Sequence, residues 1–301
     1  MVIVGPIRKI QLETSNLCNF NCSICPREKL NVIKKVLDFK FYKLILKKTQ
    51  GTKYLDLTGW GEPLLNPKIL KMIEEAKKKK FYLSFTTNAY LLDKKIGLGL
   101  IESGLDEISF SLDSLSKIKE SDHFGRPAQN IINFMQLRPR MKIRIQTVML
   151  DHQLERLKRI IDFAQENKIT KVRLMRLEDR LIERKRIIKR KDERKIFFSL
   201  LKFCRKKTID LEIVQYRWGD FPFNILTEPL RKIFLRNVCP KLFSSCYVNI
   251  NGEVTPCCSL PHLIMGDLRK EELTSIWKNK KFNRFRRNYK NYCAGCETLT
   301  E

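Results

Sequence analysis

Two hydrophobic periods alternate along the chain. Residues Ile7–Glu13, Tyr54–Thr58, Phe81–Thr86, Glu107–Leu112, Lys142–Leu150 and Lys171–Leu174 are short runs that read as strands. Between them the period lengthens to that of a helix. Asn66-Pro67 offers an N-cap and a first-turn proline, followed by Ile69, Leu70, Ile73 and Ala76 on one face. Leu92, Ile96 and Leu100 repeat the scheme, and so do Leu154, Leu157, Ile161 and Ala164. Strands separated by helices predict parallel pairing through right-handed crossovers. Six such units are fewer than the eight that close a barrel. The pattern therefore predicts an α/β fold, a partial (β/α)6 TIM-like barrel, with active groups on loops at the C-terminal ends of the strands.

After about residue 215 the pattern breaks. Pro222, Pro229, Pro240, Pro256 and Pro261 interrupt it. Tyr247–Ile250 and Glu253–Thr255 flank Asn251-Gly252, a two-residue hairpin signal because both positions tolerate positive φ. A short helix is expected around Leu273–Lys280. The chain thus divides into a core domain, 1–215, and a small cysteine-rich module of hairpin plus helix, 216–301.

The 301 residues suit one large α/β domain, or a smaller one with an appendage. No apolar run reaches the roughly 18 residues that a membrane span needs. The opening MVIVGPIRKIQLE lacks the form of a secretory signal, so a cytoplasmic protein is expected. Lys and Arg number 60 against 33 Asp and Glu, a net charge of +27. They crowd Arg180–Lys207. Such charge hints at an acidic substrate or at nucleic acid, although a solvated helical face accounts for it equally, without aromatic interleaving or a nucleic-acid motif.

Ten cysteines change the picture. Three lie near the N-terminus, six between Cys239 and Cys296, and Cys204 stands between. In a reducing compartment such clusters more often bind metal than form disulfides. Cys18-Asn-Phe-Asn-Cys22-Ser-Ile-Cys25 places three thiols in eight residues, just after the first strand. Iron–sulfur clusters usually take four thiolates. Three would leave one iron open to an amine and a carboxylate. A zinc site would want a fourth ligand nearby, and the nearest histidine is His123.

This CxxxCxxC spacing resembles the radical S-adenosylmethionine (SAM) superfamily. The resemblance implies a [4Fe–4S] cluster on Cys18, Cys22 and Cys25 whose open iron chelates the methionine part of SAM. It implies reductive cleavage to a 5′-deoxyadenosyl radical that abstracts a hydrogen atom, with a reducing partner such as flavodoxin or ferredoxin. Ile24 stands where the family usually has an aromatic residue near the adenine. Thr58-Gly59-Trp60-Gly61-Glu62-Pro63, after the second strand, is similar to the family's GGE segment, which binds the SAM amino group; Trp60 replaces the second glycine. Asn88 ends the third strand, and Ser109–Ser114 the fourth. Asn88, Ser111 and Asp113 are expected to line the cofactor site, with local turn capping the plainer reading of the last two. Gln146 or Thr147 faces the cavity, and Arg173 or Arg176 is placed to hold a carboxylate.

The tail, from Cys239-Pro through the Asn-Gly hairpin to Cys293-x-x-Cys296, resembles the SPASM/twitch type of extension. The resemblance implies a second, auxiliary [4Fe–4S] cluster on Cys239, Cys257, Cys293 and Cys296. The separation of the first two matches that of an aminocyclitol dehydrogenase of the short form, which selects Cys257 over Cys258. Six tail cysteines cannot build two four-thiolate clusters. Zinc suits four cysteines equally well. A closed auxiliary cluster would carry electrons, as a dehydrogenation needs. The expected function is that of a radical SAM oxidoreductase or maturase acting on a peptide, protein or sugar-like substrate. A radical enzyme acting on RNA and a non-catalytic two-cluster electron carrier are the alternatives. Cys204, Cys246 and Cys258 are candidates to return a hydrogen atom only if unligated and facing the cavity.

Overall fold

A computed structural model describes residues 5–30, 34–49, 51–113, 125–150, 154–177, 190–213, 239–294 and 296. The expected boundary at 215/216, His123, Ser114, Pro222, Pro229 and residues 180–189 of the basic segment lie outside the described residues.

All six expected strands form: β1 (Lys9–Leu12), β2 (Tyr54–Asp56), β3 (Tyr82–Thr87), β4 (Glu107–Ser111), β5 (Lys142–Val148) and β6 (Lys171–Met175). They pair in parallel and in chain order. Helices α1 (Phe39–Lys48), α2 (Ile69–Lys78), α3 (Lys94–Glu102), α4 (Gly125–Gln136) and α5 (Leu154–Glu166) cross between them. Asp38 and Asp93 start α1 and α3, each accepting from a backbone N–H three residues on. After α6 (Arg190–Cys204) a seventh parallel strand, β7 (Asp210–Ile213), joins β6. It is not among the strands expected from the periodicity.

One sheet face is apolar and the other polar. On β3, Leu83, Phe85 and Thr87 are buried while Tyr82, Ser84 and Thr86 are half-buried. The apolar face packs on the helices through Leu55, Phe110, Ile145 and Val172 against Ile45, Met72, Ile131 and Ile160. Each such side chain contributes about 1.5–3 kcal/mol on burial. The polar face carries half-buried side chains such as Ser84, Thr86 and Ser111.

The expected start of α2 needs correction. The helix begins at Ile69 with Lys68 at its cap and no side-chain bond. Asn66 is buried instead. Its amide donates to Thr14 O at 2.8 Å and Leu37 O at 3.1 Å, tying the exit of β1 to the chain entering α1.

The tail joins the same sheet. β8 (Ser245–Val248) runs parallel to β1, β9 (Glu253–Thr255) antiparallel to β8, and β10 (Gly266–Asp267) antiparallel to β9. Among the described residues the order is β10-β9-β8-β1-β2-β3-β4-β5-β6-β7. The expected hairpin forms, but through the three residues Ile250, Asn251 and Gly252 between Asn249 and Glu253, and only Gly252, at φ +84°, takes the positive φ expected of both turn positions. Helix α7 (Leu273–Lys278) ends earlier than expected, and a second helix, α8 (Lys280–Tyr292), follows. Asn279 caps α8 by accepting from Phe282 N at 2.8 Å. Trp277 is buried and donates to Gly5 O at 2.9 Å. Arg286 stacks over it at 4.0 Å. No helix among the described residues is long and apolar enough to cross a membrane.

Candidate functional site

The site grows from the loop that leaves β1. Its backbone is stitched to the loop after β2: Gly61 N donates to Ser15 O at 3.1 Å and Glu62 N to Leu17 O at 2.7 Å. A Cβ on Gly61 would lie 2.2 Å from Leu17 O, so only glycine lets the two backbones approach this closely. The Gly59-Trp60-Gly61 loop therefore lies against the residues that lead into Cys18.

The three N-terminal cysteines share one turn, closed by Cys25 N donating to Cys22 O at 2.9 Å. Phe20 N points at Cys18 Sγ, 3.5 Å away. Arg27 is buried behind the turn and donates to Cys18 O at 3.4 Å and Phe20 O at 3.2 Å. Ile24 is half-buried beside Cys25. Burial, then the neighbouring Cys25 and Cys18 thiols, pushes the Cys22 thiol up to about 11. Burial raises Cys18 as well. Thiolates this close repel one another unless a cation binds them, which is the behaviour of a metal ligand set.

The ends of β3 and β4 converge on the same place. Asn88 donates from its backbone to Glu62 Oε2 at 2.7 Å and from Nδ2 to Asn19 Oδ1 at 2.9 Å. Its Nδ2 is 3.9 Å from Cys18 Sγ. The charge of Asp113 bears on Cys22. The Asp113 carboxylate accepts from Thr147 Oγ1 at 3.0 Å and Val148 N at 2.8 Å, fastening the end of β4 to β5. Arg156 donates to its carbonyl at 2.6 Å. Gln146 is the register partner of Ser111 and is half-buried on the same face. Thr147 is buried and turned to Asp113, so Gln146 is the residue of that pair on the polar face.

Two of the expected residues carry partners within the protein. Glu62 is only 3% exposed. Its Oε1 accepts from Leu64 N at 3.0 Å and Thr87 Oγ1 at 2.7 Å, besides the Asn88 bond to Oε2. Burial pushes the carboxyl up to about 7 against those three donors. Three donors inside the protein hold its carboxylate, which positions Asn88. Arg173 is also engaged, through Nε and Nη2 to Glu212 at 2.9 and 2.8 Å, which fits it poorly for a substrate carboxylate. Sequence reasoning missed Glu13, Asn19, Arg27 and Arg156. Only Asn19 and Arg27 carried a signal, their nearness to the cysteines.

The tail cysteines form a second group. Cys258, Cys257, Cys239 and Cys296 all lie near enough to act on the ammonium of Lys241. Cys293 acts on Cys257, and with Cys239 on Tyr289. Cys246 is apart: it is buried near Arg286, where burial pushes its thiol up to about 12. Cys204 is buried in the packing of α6. These two are core residues. The groups are linked. Trp60 Nε1 donates to Cys258 O at 3.3 Å. Glu13, 2% exposed, accepts from Trp60 N at 3.0 Å and Ile250 N at 3.3 Å.

Among the described residues no three His, Cys, Asp or Glu side chains are gathered tightly enough for a single metal ion. The fit to iron–sulfur groups rests on the donor sets, three thiols at one site and at least four at the other. It rests also on Asn19 Nδ2, a buried donor without an acceptor in the protein, beside Cys18.

Residues 12–177 match the family described as "Radical SAM superfamily", and residues 239–297 match SPASM, "Iron-sulfur cluster-binding domain". Curated relatives include a "Tungsten-containing aldehyde ferredoxin oxidoreductase cofactor-modifying protein" of Pyrococcus furiosus, 30% identical over 36% of this chain and 32% of that one. A GTP 3′,8-cyclase of Chlorobaculum tepidum is 30% identical over 47% and 44%. The aligned parts thus cover less than half of these relatives. Among solved structures, Streptococcus suis SuiB bound to the precursor peptide SuiA shares the fold at TM-score 0.77 and 17% identity, over 98% of this chain and 71% of that one. The AdoMet-bound anSMEcpe shares it at TM-score 0.73 and 16% identity, over 98% and 86%.

Proposed function

We propose that this chain, which belongs to the radical SAM superfamily, is an oxidoreductase or maturase that holds its catalytic [4Fe–4S] cluster on Cys18, Cys22 and Cys25. The superfamily domain binds a [4Fe–4S] cluster and SAM, and the SPASM domain carries auxiliary iron–sulfur clusters. With SAM bound, the reduced cluster supplies a 5′-deoxyadenosyl radical that removes a hydrogen atom from substrate.

The chain's own residues prepare the place. The Gly59–Gly61 backbone lies against residues 13–17, which lead into the cysteine turn. Arg27 holds the turn's carbonyls from behind. Ile24 offers an apolar surface for the adenine. Asn88, Ser111 and Asp113 present polar groups from the ends of β3 and β4, and Glu62 holds Asn88 in place. The observation that carries the reading is this convergence of three strand-end loops on a turn with three thiols and no local fourth.

Cys239, Cys257, Cys293 and Cys296 are proposed as ligands of one auxiliary [4Fe–4S] cluster that accepts the second electron of a net oxidation. Flavodoxin or ferredoxin is proposed as reductant. We place the division between core and auxiliary domain at 215/216. A peptide is the favoured substrate class, supported by the SuiA peptide bound to SuiB, with a protein or sugar-like substrate next. The net charge of +27 favours an acidic one.

Anaerobically reconstituted, dithionite-reduced protein should convert SAM to 5′-deoxyadenosine and methionine. Turnover no greater than that of Cys22→Ala would overturn the reading. Iron and sulfide near eight each per chain would support two cubanes, whereas four iron and one zinc would overturn the auxiliary assignment.

A further inference from the structure

We propose that Asn19 is a binding residue of the first cysteine site, its Nδ2 donating to an anionic acceptor on the group held there. The inference rests on the reading that Cys18, Cys22 and Cys25 hold a cluster with SAM.

The orientation of the amide follows from a chain of bonds. Tyr90 N donates to Asn88 Oδ1 at 3.0 Å, which fixes Asn88 with its Nδ2 on the other side. That Nδ2 donates to Asn19 Oδ1 at 2.9 Å. The Asn19 oxygen therefore faces Asn88, and its nitrogen faces away. Asn88 is itself anchored, its backbone N–H on Glu62 Oε2 at 2.7 Å. Asn19 cannot flip without placing two donors, or two acceptors, face to face. Yet Asn19 Nδ2 is buried and has no acceptor in the protein. A buried donor without a partner is costly, and native proteins retain one where a ligand, ion or water completes it. Asn19 follows Cys18 directly in the chain, and Asn88 Nδ2 stands 3.9 Å from the Cys18 sulfur. The side chain thus belongs to the wall of the cysteine site.

Two anionic acceptors can meet a donor there: a sulfide of the cluster, or the carboxylate of SAM. Both accept N–H bonds, and they separate by experiment. The test uses the reconstituted holoenzyme, with Asn19→Ala and the near-isosteric Asn19→Leu, neither of which keeps a donor. Two quantities are read: the midpoint potential of the first cluster without SAM, and the affinity for SAM by titration of its EPR signal. If the acceptor is sulfide, loss of the donor lowers the potential without SAM, because an N–H bond to sulfur favours the more negative reduced cluster. If it is the SAM carboxylate, the potential holds and affinity falls about tenfold, as for one charge-assisted hydrogen bond.

Should Asn19→Ala fail to retain iron, Asn19→Leu decides. Full iron content with an unchanged potential and SAM affinity within twofold of wild type overturns the proposal, and would mean that water alone satisfies the amide. That result would leave the parent reading intact. The parent reading fails separately, if the wild-type chain assembles no cluster at its three cysteines.

Discussion

The indole N–H of Trp60 donates to the backbone carbonyl of Cys258 at 3.3 Å, joining residues 198 positions apart. One belongs to the loop stitched to the first cysteine turn, the other to the auxiliary group. Glu13 reinforces the link from below by accepting from Trp60 N and Ile250 N. A side chain standing where the family usually has glycine is thus the contact between the two cysteine groups.

Trp60→Phe removes the indole donor and keeps the backbone bond to Glu13. The loss should be about 1 kcal/mol. Hydrogen exchange around residues 257–260 should quicken while residues 59–62 keep their protection. Equal protection of 257–260 in both proteins would show that the indole bond holds nothing.

Gly61→Ala would place its Cβ 2.2 Å from Leu17 O, a backbone atom that no rotamer change can move. The two loops must separate, at a cost of about 1–3 kcal/mol. The denaturant midpoint should fall, and iron should be lost from the first site. Gly5→Ala is the control, since its Cβ meets nothing within 4 Å.

Glu62 gives a pH dependence with a definite sign. Its carboxyl is raised from 4.5 to about 7 by burial. Below the lower value both folded and unfolded chains hold the proton, and nothing is lost. Between the two values only the folded chain holds it, so stability falls as pH rises, by roughly 3 kcal/mol once pH passes the upper value. Urea midpoints of the metal-free chain at pH 5 and pH 8 should fall further for wild type than for Glu62→Gln. Parallel midpoints would mean that the three donors hold the carboxylate ionised throughout.

Gly252 sits at φ +84°, and a Cβ there would lie 2.5 Å from Phe41 Cζ on α1. Gly252→Ala therefore combines backbone strain with a clash and should cost about 1–3 kcal/mol. Phe41→Ala in the same chain should recover the clash component and leave the strain. Strictly additive losses in thermal unfolding would show that the hairpin turn does not bear on α1.

What was legible in the sequence was local. β1–β6 declared themselves because one face of each meets helices and the other, through Ser84, Thr86 and Ser111, is polar. The hairpin declared itself through Asn251-Gly252. α8 carried its signal at Phe282, Phe285 and Tyr289, masked by basic residues between them. Asn66 misled because an Asn-Pro pair reads as a cap, whereas its partners Thr14 and Leu37 lie far away in sequence. At the site, the cysteines and Gly-x-Gly stand out by spacing. The commitment of Glu62 was hidden, since it depends on Thr87 and Asn88 from another strand. So was the sorting of Cys246 into the core, which depends on where β8 docks.

That docking has a consequence for dissecting the protein. β8 hydrogen-bonds along the whole of β1, from Lys9 with Ser245 to Leu12 with Val248. A chain ending at residue 238 would lose more than its second group of thiols. It would bare the outer rim of β1, a row of unpaired N–H and C=O groups that invites strands from other molecules. Truncates of this kind should self-associate, so the isolated first half is a poor stand-in for the enzyme, and cysteine substitution is the cleaner way to silence either group.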